Sequence, residues 1–197
     1  MTHPPPRAAA APASPPSSAG PLPLVVGVSA PSGTGKTTLL RRLIPRLKAA
    51  GLRVGVLKRA HHDFDIDHPG KDSYEVRHAG ADRVLVASAR RWAVVAETPD
   101  AAVPSIADLI ARLDPGDLDL VLAEGFGLDG LPRIVVHRAA AAKQAPDLGA
   151  PGVLAVCSDD PALETGTTPR FDLDDVAGLC GFLIRMREAG TTHGETT

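Results

Sequence analysis

The stretch Leu24-Val25-Val26-Gly27-Val28-Ser29-Ala30-Pro31-Ser32-Gly33-Thr34-Gly35-Lys36-Thr37-Thr38 joins an apolar, β-branched run to a glycine-rich turn and a lysine followed by hydroxyls. Leu39, Leu40, Leu43, Ile44 and Leu47 come next at helical spacing. Strand, glycine-rich turn and helix in that order predict a phosphate-binding P-loop. Backbone N–H groups of such a turn wrap a β-phosphate, the lysine reaches the β/γ oxygens, and the next hydroxyl ligates Mg²⁺. The helix behind adds the positive end of its dipole. The pattern G-x-x-x-x-G-K-[ST] is met except at its first glycine, which is Ala30. Ala30 narrows the backbone angles open to the turn but leaves the cradle. Ser32, Gly33, Thr34, Gly35, Lys36, Thr37 and Thr38 are therefore the candidate nucleotide contacts, with Lys36 also catalytic.

Outward from this turn, strand-like and helix-like runs alternate. Strands are expected at 25–29, 52–58, 83–88, 92–97, 118–123, 133–137 and 153–157. Helices are expected at 36–50, 72–78, 106–113 and 174–187, with a kink at Pro45 and a stop at Gly51. This alternation predicts an α/β fold, a sheet with helices on both faces. Ligands of such sheets bind at the carboxyl ends of the strands. That rule gathers the P-loop, the loop after Lys58, the Glu124-Gly125 turn and the loop after Cys157.

The chain has 197 residues, 44% of them apolar, which is enough for one domain with a real core. A net charge of −2 offers no general case for nucleic acid. The basic residues Arg41, Arg42, Arg46 and Lys48 read as the solvated face of the first helix. Cys157 and Cys180 lie far apart in apolar surroundings, which predicts buried free thiols in a reducing cytosol. Residues 1–21 are Pro, Ala and Ser with little to bury and predict a disordered tail. Residues 22–189 predict the nucleotide-binding domain, and 190–197 a second frayed tail. No run reaches the roughly 20 apolar residues of a membrane helix, and prolines break the alanine run that a signal peptide would need.

Three further segments carry chemistry. In His61-His62-Asp63-Phe64-Asp65-Ile66-Asp67, an extended backbone puts His61, Asp63, Asp65 and Asp67 on one side. Carboxylates so placed repel unless a cation or basic groups sit among them. Mg²⁺ on a bound nucleotide is the economical cation, and Asp63, nearest the strand end, is its candidate ligand. The run Leu118-Asp119-Leu120-Val121-Leu122-Ala123-Glu124-Gly125-Phe126 is an apolar strand ending on a carboxylate. Beside a P-loop this is a Walker-B-like arrangement. Glu124 would hold Mg²⁺ or orient the attacking water. The run Val153-Leu154-Ala155-Val156-Cys157-Ser158-Asp159-Asp160 ends another strand. Asp159 is a candidate to accept from N1–H and the 2-amino group of guanine; an ordinary Asp-Asp-Pro turn is the competing reading. Lys71 and Arg77 could approach phosphates, although plain surface cations are the simpler reading.

Together these residues resemble one family. The P-loop, the block Lys58 to Gly80 with His-His-Asp, Pro-Gly-Lys-Asp-Ser-Tyr and Arg-His-Ala-Gly, then Arg91-Trp92 and Glu124-Gly125-Phe126 look like MobB, the molybdopterin-guanine dinucleotide biosynthesis protein B family. The resemblance runs from Leu24 to the closing helix. It implies a P-loop NTPase-like, mostly parallel sheet with flanking helices, and a strand extension at about 82–98 used for dimerisation. It further implies a cytoplasmic GTP-binding accessory protein with weak GTPase activity and Mg²⁺. Its partners would be a second copy, a MobA-type guanylyltransferase and molybdopterin-carrying proteins. By position, the metal would lie near Thr37, Asp63 and Glu124. One departure is Lys58-Arg59, where the family usually shows Lys-His. Independently, the apolar segment 83–97 invites pairing with another chain; two ordinary strands within one sheet are the alternative.

Two other functions fit a P-loop. A small-molecule kinase usually carries an arginine-dense lid, and no such segment occurs here. A metallochaperone GTPase for Ni or Zn usually carries a Cys-rich motif, which is also missing.

Overall fold

The structure, a computed structural model, describes residues 22–60, 64–98, 104–126, 130–141 and 144–192. The expected N-terminal tail, 1–21, lies outside the described residues. Six strands form one sheet in the order β2-β5-β1-β6-β7-β8, and every neighbouring pair is parallel. They are β1 (Leu24–Ser29), β2 (Val54–Lys58), β5 (Leu120–Glu124), β6 (Arg133–His137), β7 (Val153–Ser158) and β8 (Arg170–Phe171). Among the described residues four helices accompany them: α1 (Lys36–Ala49), α2 (Asp72–His78), α3 (Ile106–Arg112) and α4 (Val176–Thr192). Strands β3 (Arg83–Ala87) and β4 (Trp92–Ala96) form a separate antiparallel hairpin.

Parallel strands buried on both faces read as continuous apolar runs, because helices or loops cover each side. One face carries Val26, Val28, Leu120, Leu122, Ile134, Val136 and Cys157. It packs against Leu39, Leu40, Leu43 and Leu47 of α1 and Val176, Leu179, Cys180 and Leu183 of α4. On the opposite face, Gly55 pairs in register with Val121. A Cβ on Gly55 would stand 2.9 Å from Leu113 and 2.6 Å from Leu118. The α3 end and the 3-10 turn after it (Pro115–Asp117) therefore close down on that face at β2. Helices do lie on both faces, as expected, but α1 and α4 share one of them.

Most element ends shift by a residue or two, and the last helix runs five residues past its expected end at 187. The first helix runs unbroken through Pro45 and keeps Arg41, Arg42, Arg46 and Lys48 exposed. The last helix begins after Asp175, whose carboxylate accepts the Gly178 N–H as an N-cap does. It continues to Thr192, so residues 190–192, expected as part of a frayed tail, are helical, and 193–197 lie outside the described residues. Gly190 keeps a negative φ and simply extends the helix. The short β8 and the 3-10 turn escaped the sequence reading. No helix among the described residues is long and apolar enough to cross a membrane.

The hairpin is the largest departure from an ordinary single sheet. Leu85, Trp92 and Val94 are exposed at 63, 67 and 46%. The pairs Leu85–Val94 and Ala87–Trp92 put these side chains on one face of the ribbon. The hairpin base is tied to α2 by Arg77, which donates to Glu97 at 2.8 Å and to both oxygens of Asp65 at 2.6 Å.

Candidate nucleotide site

The turn between β1 and α1 closes on itself. Thr34 Oγ1 donates to the Pro31 carbonyl at 2.9 Å, and Thr34 is 3% exposed. Its hydroxyl thus braces the loop, leaving Ser32 and Gly33 exposed on the outside. Gly35 is the N-cap of α1 with φ +106°, a left-handed conformation that a side chain would strain. Lacking a side chain, it leaves the first-turn N–H groups to a ligand. Lys36 Nζ folds back onto the carbonyls of Ala30 and Pro31 at 2.8 and 3.0 Å. These neutral acceptors hold the ammonium beside the loop, where a phosphate would compete for it.

Glu124 ends β5 next to this loop because β1 and β5 run in register, Val28 opposite Glu124. Thr37 Oγ1 donates to the Glu124 carboxylate at 3.2 Å to Oε1 and 3.4 Å to Oε2. A hydroxyl and a carboxylate in contact are hard oxygen donors of the kind Mg²⁺ takes. The turn after Glu124 is held by Arg59. Its N–H donates to the Glu124 carbonyl at 2.9 Å, and its guanidinium lies 4.3 Å over the buried Phe126 ring. Gly125 has φ +90°, and a Cβ there would come within 3.0 Å of the Arg59 carbonyl. The Arg59 backbone and the Gly-Phe turn thus aim Glu124 together.

A cleft of about 960 Å³ opens over these groups. The P-loop, Thr37, Thr38, Lys58, Arg59 and Glu124 form one side, and Arg133, Pro146, Asp147 and Ala150 the other. That second side was not read from the sequence, because Pro146, Asp147 and Ala150 are loop residues with no motif and Arg133 only begins β6. Asp63, His61 and His62 lie outside the described residues. Asp65 and Asp67 do not form a carboxylate row. Asp65 pairs with Arg77, which holds its carboxyl below the usual value, and Asp67 accepts from Ser73 Oγ at 3.1 Å. Among the described residues no cluster of His, Cys, Asp and Glu could hold a metal by itself. Arg77 is therefore a strut of the hairpin and not a phosphate contact, while Lys71 precedes α2 as its N-cap.

Asp159 is not among the cleft residues. It sits on the other flank of the P-loop, where Oδ1 accepts the Ala139 N–H at 2.8 Å and Oδ2 pairs with Arg138 at 3.3 Å. Arg138 in turn donates from Nε to the Thr34 carbonyl at 3.4 Å. Sequence reasoning missed Arg138. The available signal was its place immediately after β6, the strand next to β1.

The arrangement joins a phosphate turn, a lysine, a hydroxyl–carboxylate pair and a separate exposed hairpin. The chain matches the family model described as molybdopterin guanine dinucleotide synthesis protein B, MobB, over residues 25–159. It belongs to the MobB family. The MobB match runs from β1 to Asp159 and so contains every site residue named above. The chain is 46% identical over 159 residues to the molybdopterin-guanine dinucleotide biosynthesis adapter protein of Escherichia coli (strain K12), covering 80% of this chain and 89% of that one. It is 39% identical over 159 residues to the adapter protein of the same description from Haemophilus influenzae, covering 81% and 86%. A crystal structure of molybdopterin-guanine biosynthesis protein B (MobB) superposes with a TM-score of 0.64 at 29% identity, covering 84% of this chain and 99% of that one.

Proposed function

We propose that this chain is a GTP-binding adapter in the synthesis of molybdopterin guanine dinucleotide, with slow intrinsic GTP hydrolysis. The observation that carries this reading is the Thr37–Glu124 contact at 3.2 Å beside the Lys36 turn, in a MobB-family chain. Thr37 and Glu124 would hold Mg²⁺, which supplies charge neutralisation of the β/γ-phosphates. Lys36 leaves the Ala30 and Pro31 carbonyls for the phosphate oxygens. The backbone N–H groups of Ser32 to Thr38 enclose the phosphates, and Asp159 faces the guanine. Asp63 joins the metal shell through the loop after β2.

The adapter works as a homodimer through the hairpin, whose apolar face of Leu85, Trp92 and Val94 needs cover. It serves a MobA-type guanylyltransferase and molybdopterin-carrying proteins in the cytoplasm. Two free buried cysteines fit a reducing compartment. Titration calorimetry with GTP and ATP, each with and without Mg²⁺, tests the reading together with phosphate release. GTP binds in preference, Mg²⁺ tightens it, and phosphate appears slowly. A preference for ATP with rapid transfer to a metabolite would overturn it in favour of a kinase.

A further inference from the structure

Strands β6 and β7 run in register, His137 opposite Ser158. These two side chains are buried, 6 and 0% exposed, and His137 Nδ1 stands 2.9 Å from Ser158 Oγ. Ser158 Oγ also accepts the Asp160 N–H at 3.0 Å. A buried polar pair with its bonds made fixes the strand ends rigidly. The residues immediately after the two strands, Arg138 and Asp159, are partly exposed, and they too are paired. Arg138 reaches further, to the Thr34 carbonyl, and its Nη2 lies 3.8 Å from where a Cβ on Gly35 would stand. One guanidinium thus joins the phosphate turn to the loop that carries Asp159.

Resting on the GTP reading, we propose that Arg138 is the positioning residue that couples phosphate binding to guanine recognition. Its planar fork suits this task, because Nε and Nη1 bond two acceptors at fixed relative directions. A carboxylate has about four acceptor sites. Asp159 uses two on Arg138 and Ala139, which leaves two for the N1–H and 2-amino donors of guanine. Adenine presents neither donor. The brace holds Asp159 at a set distance from the P-loop, so a base anchored by its phosphates meets the carboxylate in register.

The test compares Arg138→Ala, Arg138→Lys and Asp159→Asn with the unaltered protein, measuring affinity for GTP, ATP and inorganic tripolyphosphate. Tripolyphosphate reports the P-loop alone and shows that each variant is folded. In Arg138→Ala, GTP affinity falls about tenfold and the GTP-to-ATP ratio falls with it, while tripolyphosphate affinity stays within about twofold. Asp159→Asn loses the same discrimination. Lysine keeps the charge without the fork, so Arg138→Lys does not restore the ratio; it also serves if the alanine variant fails to fold. An unchanged GTP-to-ATP ratio in Arg138→Ala overturns the inference and leaves the GTP reading standing. A parallel fall for tripolyphosphate also overturns it, since Arg138 would then be a phosphate ligand. Loss of GTP preference in the unaltered protein would defeat the GTP reading itself, and the inference with it.

Discussion

In the proposed GTP site, Lys36, Thr37 and Glu124 would divide the work at the phosphate end by chemistry. The ammonium is a point charge, and the hydroxyl and carboxylate are hard oxygen donors. Lys36→Ala should abolish GTP binding in calorimetry, since the backbone cradle alone leaves β/γ charge uncompensated. Glu124→Gln should retain Mg²⁺-free GTP affinity but lose most of the tightening by Mg²⁺, seen by repeating the titration across Mg²⁺ concentrations. Away from the site, Asp119 accepts from the Arg53 N–H at 2.8 Å and from Arg187 at 2.6 Å. Burial pushes its carboxyl up, but the Arg53 amide and guanidinium, with Arg187, outweigh that and hold it below the usual value. A depressed carboxyl stabilises the fold above the unfolded-state value of about 3.9, and that contribution is lost as pH falls through the lower folded value. Asp119→Asn should cost about 1–3 kcal/mol at pH 7. In urea unfolding this deficit should shrink once the pH drops below about 4. Cys157, whose thiol burial pushes up to about 12, stays protonated at neutral pH. A thiol reagent should label it only as the protein unfolds.

Among the elements, the β3–β4 hairpin stands apart from the main sheet and depends on α2 through Arg77. An isolated two-stranded ribbon is marginal in water and needs packing from outside. Covering the face of Leu85, Trp92 and Val94 with a second copy meets that need. If the hairpin pairs two copies as proposed, introducing Leu85→Glu and Trp92→Glu together should yield a monomer in size exclusion with light scattering. If the unaltered protein is a clean monomer at micromolar concentration, the hairpin has another role. The strands of the main sheet behave differently. Their runs were legible as apolar, β-branched segments bounded by glycine and polar residues. Their ends were legible to a residue or two because parallel strands here stop where a polar group reaches the ligand side. The two-residue β8 left no pattern, since it is too short for a period and exists only because β7 offers it a partner.

Across the whole molecule, stability rests on one core shared by β1, β5, β6, β7, α1 and α4. Leu43 is 1% exposed within it, and Leu43→Ala should cost about 2–5 kcal/mol in chemical unfolding. The order of the parallel strands brings the ends of β1 and β5 together over one cleft, and the ends of β1, β6 and β7 together on the other flank. The P-loop, Glu124 and the family resemblance could be read from residues in order, because each is a local run whose neighbours in sequence define its shape. So could the helix cores, where Leu39, Leu40, Leu43 and Leu47 repeat at the period of one helical face. Three things needed the tertiary structure. Asp65 became a structural partner of Arg77, 12 residues away in sequence, and Asp67 of the Ser73 hydroxyl, because α2 folds back over the loop that carries them. The hairpin left the main sheet because β5 and β6, not β3 and β4, take the places beside β1. Arg138 gained its place because 104 residues separate it from the Thr34 carbonyl it bonds. Local sequence determines which backbone a segment prefers; only the packing of distant segments decides which side chains share a site.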